Sequence, residues 1–188
     1  GTISTSGNWA MRNISTSNIT NLGNNGTISA GGSSGIRNGG AITTLTNTGT
    51  ISATGDKGIF NKQGGAIGTI TNSGTISAGD DFGIYNSGTA TITTLTNSGT
   101  ISAARSSLWN GGTITTITNS GNIKALTDEF GLKNVNGTIG TLINSGTISA
   151  SDRYGLFNDQ NSTNTATITT LTNSGTISAA RSSLWNGG

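Results

Sequence analysis

The sequence predicts an all-β fold, a parallel β-solenoid of triangular coils, and three observations carry the prediction. A twelve-residue block, in consensus Ile-Thr-Thr-Leu-Thr-Asn-Ser-Gly-Thr-Ile-Ser-Ala, returns seven times without gaining or losing a residue. It begins at Ile19, Ile42, Ile67, Ile92, Ile114, Ile139 and Ile168, and ends eleven positions later at Ala30, Ala53, Ala78, Ala103, Ala125, Ala150 and Ala179. With the looser segment after each copy, the unit spans 22–29 residues, a period typical of supersecondary units that bury their apolar faces by stacking. Second, residues within the block alternate in steps of two, the period of a strand. Third, 31 glycines recur through every unit, which disfavours helix.

The block supplies two short strands. In its second complete copy Leu45, Asn47, Gly49, Ile51 and Ala53 share one face, with Thr46, Thr48, Thr50 and Ser52 on the other. Asn-Ser-Gly between the halves predicts a corner, because Asn and Gly tolerate turn dihedrals. The looser segment supplies the third strand, marked by a small residue, an apolar residue, any residue and Asn. That signature reads Ala10-Met11-Arg12-Asn13, Gly35-Ile36-Arg37-Asn38, Gly58-Ile59-Phe60-Asn61 and Gly83-Ile84-Tyr85-Asn86 in the first half of the chain. It continues as Ser107-Leu108-Trp109-Asn110, Gly131-Leu132-Lys133-Asn134, Gly155-Leu156-Phe157-Asn158 and Ser183-Leu184-Trp185-Asn186. Three strands and three corners per unit give triangular coils, about eight of them, in a stack roughly 35–40 Å long at a strand spacing of ~4.8 Å.

Each coil offers about five small-to-medium apolar side chains, too few to offset the ordering of some two dozen residues, so no coil folds alone. Stability must come from between coils, and two columns of corner asparagines are expected to stack and hydrogen-bond from coil to coil. One column is Asn24, Asn47, Asn72, Asn97, Asn119, Asn144 and Asn173; the other is the eight signature asparagines.

Composition narrows the function. Only 30% of residues are hydrophobic and 9% charged, but the regular Ile and Thr spacing argues for order. A formal charge of +2 without a Lys/Arg run argues against nucleic acid binding. No apolar run is long enough for a membrane-spanning helix, so this segment is not expected to insert in a membrane. The chain has no Cys and no His, which excludes disulfides, thiolate and imidazole metal sites and a Ser-His-Asp triad. No cofactor and no enzymatic activity are expected. The chain opens and stops in mid-repeat, so residues 1–188 read as a single solenoid array cut from a longer one.

Variation is confined to two corners. After the signature Asn, the connection to the next block is short at Asn38 and long at Asn158, where Asp159-Gln160-Asn161-Ser162-Thr163-Asn164 is inserted. Before the signature lie the corner charges Asp80, Asp81, Arg105, Asp128, Glu129, Asp152, Arg153 and Arg181, with Asp56 and Lys57. All nine aromatics share this neighbourhood. Trp9, Phe82, Phe130 and Tyr154 have the parity of buried residues and are expected to plug the corner. The outward signature position forms a column of Arg12, Arg37, Phe60, Tyr85, Trp109, Lys133, Phe157 and Trp185. Two readings of that column stay open: side chains that support one another through ring and cation–π pairs, or a recognition stripe for sugar rings or protein loops.

Weaker signals are also present. Asp80-Asp81 and Asp128-Glu129 could bind Ca²⁺, but no EF-hand or Gly-Gly-x-Gly-x-Asp repeat accompanies them, and solvated corner charges explain them better. Asp152-Arg153 is the only local echo of the Asp-plus-base chemistry of β-helical polysaccharide lyases. The outward Thr46, Thr48 and Thr50 look like the Thr arrays of ice-binding solenoids, although Asn122, Lys124 and Ile143 interrupt the field.

Thr-Leu-Thr-Asn-Ser-Gly-Thr-Ile-Ser-Ala followed by Gly-Ile-Tyr-Asn-Ser-Gly resembles the passenger repeats of Gram-negative autotransporter adhesins, over essentially the whole chain. The resemblance implies a right-handed parallel β-helix exported through a C-terminal outer-membrane barrel and displayed extracellularly on the cell surface. It implies partners too: a host extracellular-matrix protein or cell-surface glycan, or self-association of the solenoid. A purely structural stalk presenting a distal binding domain is the alternative. Residues 89–112 and 165–188 are identical, so a larger unit of 76 residues presents Arg105 and Trp109 again as Arg181 and Trp185. Such repetition gives a weak binder modest avidity.

Overall fold

The computed structural model describes residues 1–160 and 165–187. Every helix or strand among them is a strand, and the strands form three parallel sheets. The first sheet stacks Thr2–Thr5, Thr27–Ala30, Thr50–Ala53, Thr75–Ala78, Thr100–Ala103, Asn122–Ala125, Thr147–Ala150 and Thr176–Ser178. The second stacks Trp9–Asn13, Ser34–Asn38, Lys57–Asn61, Phe82–Asn86, Ser106–Asn110, Phe130–Val135, Tyr154–Asp159 and Ser182–Asn186. The third stacks Asn18–Asn24, Ala41–Asn47, Ala66–Asn72, Thr91–Asn97, Thr113–Asn119, Thr138–Asn144 and Thr167–Asn173. The chain visits the three in turn and then moves on one coil, making seven full turns and two strands of an eighth. The predicted solenoid with three strands per coil is the fold.

Register sets like on like. Thr75-Ile76-Ser77-Ala78 pairs on one side with Thr50-Ile51-Ser52-Ala53 and on the other with Thr100-Ile101-Ser102-Ala103. The apolar columns that result fill the interior: the coil beginning at Thr75 buries Ile76, Ala78, Ile84, Ile92 and Leu95. Alternation survives the Asn-Ser-Gly corner, since Leu45, Asn47, Ile51 and Ala53 are all buried. It breaks inside the third-sheet strands, where the ladder passes from Ile92↔Ile114 to Thr94↔Thr116 and the next buried residue, Leu95, lies three positions beyond Ile92.

Both asparagine columns form hydrogen-bonded ladders. In the first, Nδ2 of each residue donates to Oδ1 of the next at 2.7–2.8 Å from Asn24 through Asn47, Asn72, Asn97, Asn119 and Asn144 to Asn173. The second runs from Asn13 through Asn38, Asn61, Asn86, Asn110, Asn134 and Asn158 to Asn186 at 2.6–2.9 Å. The same amides also donate to corner carbonyls: Asn72 reaches Gly74 and, one coil on, Thr100, both at 3.2 Å. Buried amides are therefore satisfied with no water.

The glycine of Asn-Ser-Gly has a different cause from the one expected. Among the described residues only Asn136, Gly64 and Gly88 have positive φ, so these corners need no left-handed residue. What they need is closeness: a Cβ on Gly74 would overlap the carbonyl oxygen of Gly49, and one on Gly99 that of Gly74. Glycine lets each corner settle onto the corner before it.

Candidate functional site

The chemistry of this molecule is concentrated on the outer face of the second sheet. Its strands carry two consecutive inward residues, because Gly83 and Ile84 both face the core: a Cβ on Gly83 would lie 2.8 Å from Cγ2 of Ile101, and Ile84 is fully buried. The residue before them, Phe82, is therefore turned outward beside Tyr85, with ring centroids 5.1 Å apart. Phe82 and Phe130 are buried, yet neither belongs to the aliphatic core. They do not plug the corner from within; neighbouring rings and cations bury them from outside. Trp9 is exposed and Tyr154 half-buried, which likewise removes them from the interior.

Two outward columns thus stand side by side. The first is Trp9, Ser34, Lys57, Phe82, Ser106, Phe130, Tyr154 and Ser182. The second is the expected one, Arg12, Arg37, Phe60, Tyr85, Trp109, Lys133, Phe157 and Trp185, in register throughout. Sequence reasoning missed that the columns interlock. Its available signal was the position before each signature, where Lys57 aligns with Phe82.

The rings meet face to face and edge to face. Phe60 stacks on Tyr85 at 5.3 Å with planes 11° apart, and Tyr85 lies 4.8 Å from Trp109. Phe82 meets Trp109 edge-on at 4.7 Å, and Phe130, Tyr154 and Phe157 form a second cluster at 4.6–5.8 Å. Tyr154 carries that cluster to Trp185 at 5.9 Å. Cations join these clusters: Arg12 and Arg37 flank Trp9, Lys57 lies over Phe60, Phe82 and Tyr85, and Lys133 lies over Trp109 and Phe130. The array continues along all eight strands of the sheet. Because rings stack along the solenoid axis, many of their faces are taken by other rings or cations.

At the adjoining corner the charges alternate. Lys57 lies 3.5 Å from Asp56 and 4.0 Å from Asp81; Arg105 bridges Asp81 at 3.0 Å and Glu129 at 3.1 Å; Lys133 lies 3.8 Å from Glu129. The hydrogen bonds to Glu129 and then Asp81 raise the Arg105 pKa above its usual value. Lys133 is shifted the other way, because burial among rings penalises its charge more than Glu129 favours it. Of the predicted corner charges, Asp81, Arg105 and Glu129 are brought together, with Lys133 of the outward column. Asp80, Asp128, Asp152, Arg153 and Arg181 make no ion pair among the described residues.

The remaining signals fare differently. No three metal-ligating side chains gather among the described residues, and Arg105 stands between the carboxylates of Asp81 and Glu129. Thr46 belongs to the third sheet, Thr48 to the corner and Thr50 to the first sheet, so the three form no single flat row. Asn122 and Lys124 interrupt the first sheet and Ile143 the third. Of the insertion after Asn158, residues 161–164 lie outside the described residues.

Fold and face together define a class: a parallel β-solenoid with one aromatic and cationic side and two Ser/Thr-rich sides. No protein-family model, no curated protein and no solved structure matches the chain.

Proposed function

We propose that this array is a non-enzymatic segment of a surface-displayed adhesin, attaching to a host extracellular-matrix protein or cell-surface glycan. The observation that carries the proposal is the second sheet's outer face, where aromatic and cationic side chains crowd while the other two faces stay Ser/Thr-rich. Half-exposed aromatics on a rigid surface contribute binding energy at little entropic cost, and Arg and Trp dominate interface hot spots. Export in the manner of autotransporter passengers rests on the repeat resemblance.

The test is solid-phase binding to immobilised matrix proteins and a glycan panel, comparing the wild type with a Trp109→Ala/Trp185→Ala double variant. Attachment by the wild type should fall by about tenfold or more in the variant, the range of a hot-spot loss. The structural stalk is a second reading, favoured by the mutual engagement of ring faces and cations. It expects no ligand for either protein and a lowered melting temperature for the variant.

A further inference from the structure

Corner length carves a notch into the second-sheet side. From signature Asn to third-sheet strand, the coil at Asn86 uses four residues (87–90), the coil at Asn134 three (135–137), and the coil between them only Gly111 and Gly112. The short corner lies recessed between its longer neighbours. The hollow has a volume of about 590 Å³, with Gly111 at the short corner, Ser87 and Thr89 on one side, Asn136 on the other, and Tyr85 and Trp109 at its sheet edge. A second hollow of about 290 Å³ shares Trp109 and Val135 with it and adds Lys133, Phe157 and Asp159. The larger volume lies within the range of small-ligand sites.

The lining selects the ligand class. Among the described residues no charged side chain lines the larger hollow, so neither an anion nor a cation finds a counter-charge from them there. Its hydroxyls and amide, from Tyr85, Ser87, Thr89 and Asn136, stand beside the apolar edges of two rings. Trp109 lines both hollows, and its indole N–H is buried without an acceptor among the described residues. A buried donor without a partner is costly, and a ligand oxygen reaches this one only if the indole tilts toward a hollow. We infer that the notch at Gly111 is a binding site for a neutral saccharide unit, whose hydroxyls meet these polar groups and whose C–H surface meets the ring edges. This rests on the adhesin reading and specifies where a glycan would engage.

Glycine at 111 permits a clean test. Among the described residues a Cβ there would meet nothing closer than 3.6 Å, so Gly111→Leu adds bulk at the notch without a clash at Cβ. Neutral methyl glycosides and short neutral oligosaccharides would be titrated into the whole chain, following tryptophan emission and amide NMR shifts. The wild type should bind at least one with shifts centred on Tyr85, Trp109 and Asn136, and Gly111→Leu should lose that binding while keeping its circular dichroism. Ser87→Ala/Thr89→Val, which trims hydroxyls without filling space, should weaken binding by about tenfold. Equal binding by Gly111→Leu, or no neutral saccharide bound by the wild type, overturns the inference. In either case, retained attachment to matrix protein would leave the adhesin reading standing, and its loss would remove both.

Discussion

At the scale of single residues the asparagine ladder shows how a polar side chain becomes a core residue. Asn97 accepts from Asn72 at 2.7 Å and donates to Asn119 at 2.8 Å, to Gly99 at 3.3 Å and to Asn122 at 3.2 Å. Truncating it strips partners from groups on both neighbouring coils. Each buried polar group left unpaired costs about 1–3 kcal/mol, so Asn97→Ala should cost about 3 kcal/mol or more in a denaturant titration. The exposed Thr115→Ala, whose side chain joins no ladder, should change stability by less than about 0.5 kcal/mol. Equal effects from the two variants would mean that the ladder contributes nothing. The column positions were legible because Asn recurs at fixed places in every unit. The next-coil carbonyls that complete each amide's hydrogen bonds, such as that of Asn122 for Asn97, were not, since they lie more than twenty residues along the chain.

At the scale of the element, the second sheet joins ring packing to a charge ladder, and pH separates the two. Lys133 faces Trp109, Phe130 and Glu129, with Arg105 and Arg153 near enough to oppose its charge. Burial lowers its folded-state pKa beneath the ordinary value of 10.5 held in the unfolded chain. Between those two values the unfolded chain keeps the proton that the folded chain has released, so stability rises with pH across that window and falls back as pH drops through the folded value. Arg105 moves upward from its ordinary value and holds its charge throughout. Urea titrations from neutral pH to pH 10.5 should therefore show an alkaline gain in the wild type that is missing in Lys133→Met. Parallel curves for the two proteins would assign the gain to other groups. That Lys133 belongs to the outward column was readable from its signature position. Its burial was not, because the covering ring of Trp109 comes from the neighbouring coil and that of Phe130 from the neighbouring column.

At the scale of the molecule, repetition makes stability nearly one-dimensional, with each coil answering to its neighbours. Thr75 stands in register with Thr100, so deleting residues 75–99 joins Gly74 to Thr100 with every column intact. The shortened chain should fold with an unchanged β-type spectrum, and its denaturant m-value should fall by roughly one-seventh, in step with the surface no longer buried. Loss of folding would show that this coil, which carries Phe82 and Tyr85, has a role beyond propagation.

The sequence by itself determined the fold, the strand registers and both asparagine columns. These relations repeat at a nearly constant separation, and local alternation places each member on the same side of its strand. Only the tertiary structure decided that Phe82 and Phe130 lie outside the core, because two inward residues in succession reverse the parity that alternation assumes. It also decided that the glycine corners answer to close approach, and that the Gly111 corner lies in a recess. Each depends on where neighbouring coils sit, some 22–29 residues away along the chain but only ~4.8 Å away in space.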